Sequence, residues 1–115
     1  MVKSVLGVNH QGLRDWVIQR ASAILMAIYS IGLLAYIVMH PGLSYVEWYA
    51  LFAHQWMKVA TLLVLLSLLF HAWIGIWTIF TDYVHPYALR CFLNFMVISM
   101  LIACFFWGAL ILWSV

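Results

Sequence analysis

The sequence predicts an all-α membrane protein with three transmembrane helices. Of its 115 residues, 69% are hydrophobic and only 7% are charged, whereas a soluble domain carries about 25% charged residues. The few charges leave long uncharged stretches, each of which can hold a membrane helix of roughly 20 residues. A water-soluble globule is therefore excluded. Residues 1–115 are expected to form a single membrane domain, because no segment outside the spans is long enough to fold separately.

Charged residues and turn sequences mark the edges of the elements. The three spans are predicted at about residues 21–39, 59–81 and 91–115. Arg20 precedes the first span, a His-Pro-Gly turn at 40–42 ends it, and Lys58 and Asp82 flank the second. An aromatic-rich segment at about 44–57 separates the first two spans, and its aromatic residues recur at helical spacing. This segment is expected to be an interfacial helix in the headgroup layer.

The distribution of lysine and arginine predicts the orientation of the chain, because these residues are concentrated on the cytoplasmic side of a membrane protein. With three spans, the amino terminus and the loop at 82–90 share one side. Four basic residues lie on that side and one on the other: Lys3, Arg14, Arg20 and Arg90 against Lys58. The amino terminus is therefore expected in the cytoplasm, or in the mitochondrial matrix, and the carboxyl terminus on the outside.

One histidine lies deep inside a predicted span. His71 is in the middle of the second span, whereas the other four histidines are at or beyond the predicted membrane edges. An ionisable side chain at that depth is costly and marks a functional site by default. The alternative is a neutral histidine that only hydrogen-bonds a neighbouring helix.

Small and polar residues share the helix face that holds His71. Ser67, Gly75, Thr78 and Asp82 fall within about 40° of it at 100° per residue. Small-residue packing against another helix would explain Ser67 and Gly75, but it does not explain a histidine between them. A haem explains the histidine together with Gly75, because imidazole is an axial ligand of haem iron and a glycine one turn away leaves room for the porphyrin. One deep histidine cannot make a six-coordinate haem, so a partner chain is expected to supply the second ligand.

Asp82 and Tyr83 form a second candidate site, at the end of the same span. A phenol and a carboxylate at a membrane edge can hydrogen-bond a lipid-soluble carbonyl compound and relay protons from water. Spacing alone favours an ordinary helix end with a tyrosine in the aromatic belt. On the same side, Arg14 and Arg20 are expected to be positive anchors, and either could pair with a carboxylate such as a haem propionate.

Four segments of the chain together resemble a known family. They are Arg20-Ala21-Ser22-Ala23-Ile24, His71-Ala72-Trp73-Ile74-Gly75-Ile76-Trp77, Thr81-Asp82-Tyr83-Val84 and the run from Pro86 to Arg90. These segments resemble the hydrophobic membrane anchor subunit, the D chain, of bacterial succinate dehydrogenase (succinate:quinone oxidoreductase, respiratory complex II). The resemblance covers nearly the whole chain, including its length and its layout of three spans.

The resemblance implies a membrane anchor that is part of a multi-subunit, haem-binding helix bundle and is not an enzyme on its own. His71 matches the axial ligand of haem b and is thus the expected metal ligand, with the second histidine supplied by the cytochrome b556 subunit, the C chain. Tyr83 matches the tyrosine that bonds the ubiquinone carbonyl, and Asp82 matches its neighbour. Arg20 matches an arginine near the haem propionates and the quinone pocket. Arg14 stands where a histidine is expected and is assigned no role.

The family also implies a location and partners. In the family, electrons from succinate pass through a flavoprotein subunit and an iron–sulfur subunit to ubiquinone in the bacterial inner membrane, as part of the tricarboxylic acid cycle and aerobic respiration. No nucleic acid partner is expected. One alternative is a fumarate reductase anchor, in which haem can be absent, although His71 and the Thr-Asp-Tyr run argue against it. Another is a small transporter or channel bundle, which would normally need a buried carboxylate, whereas every Asp and Glu here is at a predicted edge.

Overall fold

The structure, a computed structural model, describes residues 11–115. It contains four helices: α1 (Gln11–Met39), α2 (Tyr45–Ala53), α3 (Gln55–Tyr83) and α4 (Tyr87–Trp113). The described residues include no β-strand. Helices α1 and α4 both pack on α3, and the short α2 contacts α3 as well, so α3 is the central helix. The predicted all-α fold class is confirmed.

Three of the helices are long and apolar enough to cross a membrane, and they correspond to the three predicted spans. They are Gly12–Met39, Gln55–Tyr83 and Tyr87–Trp113, with mean hydropathies of 2.1, 2.3 and 2.5. Each helix begins several residues before the predicted span, because a charge marks the edge of the apolar stretch without ending the helix. Arginine, glutamine and lysine are all good helix formers. The amino terminus and Lys3, which the orientation argument used, lie outside the described residues.

Most of the apolar surface faces outward. Within residues 11–115, the only buried hydrophobic side chains are Leu51, Met57, Ile74 and Leu112. The three long helices do not close around a common core, since α1 and α4 both pack on α3 and hardly contact each other. The exposed isoleucine, leucine and phenylalanine side chains are therefore a surface for lipid tails and other membrane helices, as expected of a membrane anchor.

The segment between α1 and α3 folds as the predicted short helix, with a defined start and end. Gly42 adopts a φ of 74°, a left-handed conformation that glycine tolerates without strain. Ser44 and Glu47 then form a reciprocal capping box, in which each side chain accepts a 3.2 Å hydrogen bond from the other residue's backbone N–H. His54 is extended and separates α2 from α3. The last residues of the predicted interfacial segment thus belong to α3.

Lys58, which the sequence suggested only as an edge charge, is buried and has partners. Its side-chain Nζ donates a 2.9 Å hydrogen bond to the carbonyl oxygen of Val115 and lies 5.7 Å from the centre of the Trp113 ring. A carbonyl and an indole face both stabilise an ammonium group that has lost part of its water. This contact links the beginning of α3 to the end of α4.

Candidate functional site

His71 lies on the side of α3 that packs against α1. A 3.2 Å hydrogen bond joins its Nδ1 to the hydroxyl oxygen of Ser22, which is only 6% exposed. The same hydroxyl donates a 3.0 Å hydrogen bond to the carbonyl oxygen of Gln19, one turn earlier in α1. His71 itself is half-buried. Its other ring nitrogen, Nε2, has no hydrogen-bond partner within residues 11–115.

An open cleft between α1 and α3 includes His71 in its wall. Its volume is about 390 Å³, and it is lined by Asp15, Trp16, Gln19, Arg20, Ala23, His71, Ile74 and Thr78. One side of the cleft is open to the surroundings of the chain. A planar group that entered it would therefore need a second protein surface to cover it.

Arg20 lines the same cleft. Its guanidinium carbon lies 5.5 Å from the centre of the Trp16 ring, one turn away on α1, and this cation–π contact restricts the side chain to the rim. Arg20 is exposed, and no ion pair involves it in the described part of the chain, where Arg14 and Asp15 form a pair at 4.0 Å. The packing of α1 on α3 therefore places a positive charge in the same cleft as the imidazole.

Asp82 and Tyr83 lie outside this cleft. Both are exposed at the last turn of α3, about 17 Å along the helix from His71 at 1.5 Å per residue. Asp82 continues the face that holds His71, whereas Tyr83 is turned about 120° away from it. Of the four predicted site residues, the fold thus brings His71 and Arg20 together and leaves Asp82 and Tyr83 as a separate pair.

The small and polar face of α3 faces α1. A Cβ atom built on Gly75 would stand 3.9 Å from the side-chain nitrogen of Gln19, an ordinary van der Waals distance, so Gly75 faces α1 and an alanine would also fit there. Thr78 lines the cleft, and its hydroxyl donates a 2.8 Å hydrogen bond to the carbonyl oxygen of Ile74. Of the predicted stripe, His71, Gly75 and Thr78 therefore face α1 or line the cleft.

Three residues of the site were not predicted from the sequence: Asp15, Gln19 and Ser22. They recur at i, i+4 and i+7 on α1, and this spacing was the available signal. The first span was predicted to begin after Arg20, so the polar residues before it were not treated as one helix face. The side-chain oxygen of Gln19 is buried without a hydrogen-bond partner in the described structure.

The other described histidines lie at helix ends or between helices, away from the cleft. The ring of His40 stacks on Tyr36 and its Nδ1 lies 2.9 Å from the carbonyl oxygen of that residue. The ring of His54 stacks on Trp56, and His85 is exposed between α3 and α4. His10 lies outside the described residues. Among residues 11–115, no group of three His, Cys, Asp or Glu side chains is placed to hold a metal ion.

Comparison with known proteins gives one consistent result. Residues 3–107 match the family model described as succinate dehydrogenase/fumarate reductase transmembrane subunit. The chain is also 44% identical over 105 residues to a Coxiella burnetii protein named succinate dehydrogenase hydrophobic membrane anchor subunit, and the match covers 91% of each chain. The resemblance found in the sequence is thus confirmed. This chain belongs to the succinate dehydrogenase/fumarate reductase transmembrane subunit family.

Proposed function

We propose that this chain is the anchor that holds the flavoprotein and iron–sulfur subunits of succinate dehydrogenase at the membrane. We further propose that it binds one side of a b-type haem through His71 and helps to form the site of ubiquinone reduction. The observation that carries the haem proposal is the position of His71. It lies inside a membrane span with one ring nitrogen bonded to a neighbouring helix and the other without a partner in the described residues.

The residues of the cleft fit one half of a haem site. His71 would hold the iron through one imidazole nitrogen, and Arg20 would bind a propionate carboxylate. Among residues 11–115, no second histidine lines the cleft. The open side of the cleft is where the cytochrome b556 subunit would pack and supply the second histidine. A haem bound there supplies one-electron redox chemistry.

The anchor itself performs no dehydrogenation in this proposal. Its exposed apolar helices place the complex in the bilayer, and its polar residues orient the groups that electrons reach. The fumarate reductase alternative belongs to the same family, but the name of the Coxiella relative favours succinate dehydrogenase. Family membership argues against the transporter alternative.

The haem proposal is tested with the purified complex and with the solitary chain. We expect the complex to show the absorption spectrum of a low-spin bis-histidine haem, and the solitary chain to show none. His71→Ala should abolish or strongly alter that spectrum. His54→Ala is the matched control, because His54 lies at a helix junction beside Trp56, and it should leave the spectrum unchanged. A bis-histidine spectrum from the solitary chain, or from the His71→Ala complex, would contradict the proposal.

The quinone proposal concerns Tyr83 and Asp82, which are exposed at the end of α3. The phenol of Tyr83 would donate a hydrogen bond to a quinone carbonyl, and the carboxylate of Asp82 would pass protons from water. The exposure of the pair supports this proposal, because an iron–sulfur subunit docked at this end could cover the quinone and deliver electrons to it. The hydrogen bond would be stronger in the reduced, charged state of the oxygen than in the ground state.

Tyr83→Phe separates a quinone ligand from an interfacial anchor, because it removes only the hydroxyl. Loss of a hydrogen bond to a developing charge costs about 1.5 to 3 kcal/mol, which lowers the rate of ubiquinone reduction roughly ten- to a hundred-fold. Succinate oxidation with an artificial dye that accepts electrons upstream should be unaffected. Tyr45→Phe is the matched control, since Tyr45 is equally exposed but belongs to α2, which precedes the opposite end of α3. Unchanged ubiquinone reduction in Tyr83→Phe would assign Tyr83 to the aromatic belt.

A further inference from the structure

We infer that Ser22 is a positioning residue for His71, and that its hydroxyl determines which ring nitrogen is available to bind iron. The observation is the contact between the two side chains across the α1–α3 interface. The inference rests on the proposed haem function and deepens it, because it assigns a role to a residue of α1 that would not touch the haem iron.

The direction of the hydrogen bond follows from the number of protons on the hydroxyl. A serine hydroxyl has one proton to donate and two lone pairs to accept with. The proton of Ser22 is directed to the carbonyl oxygen of Gln19 at 3.0 Å. The contact at 3.2 Å with His71 is therefore one in which the Nδ1–H of the imidazole donates to the serine oxygen.

The protonation of Nδ1 determines the state of Nε2. A neutral imidazole carries its single ring proton on one of its two nitrogens, and the other nitrogen keeps a lone pair. With the proton on Nδ1, the lone pair is on Nε2, which is the nitrogen without a partner in the described residues. A metal-ligating histidine typically donates its second N–H to a neighbouring acceptor, which fixes the tautomer and the ring orientation. Ser22 has the position and the chemistry of that acceptor.

The position of Ser22 is itself fixed by its surroundings. The residue is buried, and a second hydrogen bond joins the same two helices, between the hydroxyls of Tyr29 and Thr61 at 2.8 Å. Tyr29 is two helical turns from Ser22 and therefore lies on the same face of α1. Two bonds at different heights oppose both rotation and sliding of α1 against α3. The serine oxygen is consequently held in front of the imidazole.

The test uses the purified complex with four variants of this chain: Ser22→Ala, Ser22→Thr, Ser22→Cys and Ser30→Ala. Three properties are measured, namely the haem content after extended washing, the midpoint potential of the haem and the electron paramagnetic resonance spectrum of its oxidised form. Ser22→Ala should weaken haem binding about 10- to 100-fold, as is typical when the partner of a ligating histidine is lost. It should also raise the midpoint potential and change the resonance spectrum, because an imidazole without an acceptor at Nδ1 is a less basic ligand.

The other variants separate positioning from folding. Ser22→Thr keeps the hydroxyl and should retain the wild-type haem content, midpoint potential and resonance spectrum. Ser30→Ala changes an exposed serine of α1 and should also match the wild type. Ser22→Cys has nearly the same size but a weak acceptor, so it should shift the potential and the spectrum even if Ser22→Ala does not assemble. Wild-type potential and resonance spectra in Ser22→Ala and Ser22→Cys would overturn the inference while leaving the haem proposal intact. Haem that is unaffected by His71→Ala would overturn both.

Discussion

The two long contacts of α3 differ in what holds them together. Towards α1, two hydrogen-bonded pairs of side chains connect the helices, Ser22 with His71 and Tyr29 with Thr61. Towards α4, the contact is apolar along most of its length, and a cavity of about 560 Å³ between α3 and α4 is lined entirely by hydrophobic residues. The contact of Lys58 with Val115 lies at the far end of this second interface.

This difference indicates which kind of helix interface can hold a chemical group in a defined orientation. Helices in lipid do not associate through the hydrophobic effect, so van der Waals packing and hydrogen bonds determine their arrangement. Apolar packing depends on shape and tolerates small shifts, whereas a hydrogen bond defines both a distance and a direction. The predicted cofactor ligand lies on the hydrogen-bonded side. The apolar side brings α4 against α3 and presents hydrophobic surface to its surroundings.

The first prediction concerns the orientation of this asymmetric bundle in the membrane, and each introduced cysteine is expected to be labelled from one side only. We expect a cysteine introduced at Val84 to react with an impermeant thiol reagent only from the cytoplasmic side, because Arg14, Arg20 and Arg90 lie at that end of the helices. A cysteine at Leu43, at the other end, should react only from the outside.

Labelling requires a background without the native thiols, since both Cys91 and Cys104 are exposed. The variants are therefore made with Cys91→Ser and Cys104→Ala, and labelling is compared in intact cells and inverted membrane vesicles. Reaction of the cysteine at position 84 from the outside of intact cells would show that the orientation predicted from lysine and arginine is wrong.

The second prediction tests whether the α3–α4 contact depends on shape. A Cβ atom built on Gly108 would lie 2.6 Å from a terminal methyl carbon of Leu65, so a side chain there displaces α4 or Leu65. Gly108→Leu should lower the free energy of unfolding by about 1–3 kcal/mol, the usual cost of overpacking. Gly32→Leu is the matched control, because nothing lies within 4 Å of a Cβ built on Gly32.

The free energy of unfolding of both glycine variants is measured by titrating the purified complex in mixed detergent. Addition of Leu65→Ala should recover part of the loss in Gly108→Leu, since the two sites are in contact and their effects are not additive. Equal stability of Gly108→Leu and Gly32→Leu would show that α4 approaches α3 less closely than the structure describes.

The third prediction has the smallest expected effect on stability. It compares the two hydrogen-bonded pairs that join α1 to α3. The hydroxyl of Thr61 donates to the carbonyl oxygen of Met57 at 2.8 Å, so the phenol of Tyr29 is the donor to Thr61. A double-mutant cycle of Tyr29→Phe and Thr61→Ala should give a coupling of about 0.6 kcal/mol, the average for such bonds between membrane helices. Tyr29→Phe should leave the haem potential unchanged, in contrast to Ser22→Ala. Strict additivity of the two substitutions would exclude the bond.

Much of the fold could be predicted from composition alone, because a bilayer imposes strong constraints. Long uncharged stretches predicted three spans, and all three are helices of the structure. The ends of those helices could not be predicted from the charges, since a helix continues into the interface after the apolar stretch stops. The start of α2 could have been predicted more sharply, because Ser44 and Glu47 have the spacing of a capping box.

The sequence by itself determined that His71 is exceptional, because an ionisable residue deep in a predicted span is rare and marks a functional site by default. It could not determine what His71 contacts. Ser22 is 49 residues away along the chain, and their contact depends on the register and rotation of α1 against α3. Periodicity within one helix predicts which residues share a face, but it does not predict which face of another helix lies opposite. Only the tertiary structure places a hydroxyl at Nδ1 and an arginine at the rim of the same cleft.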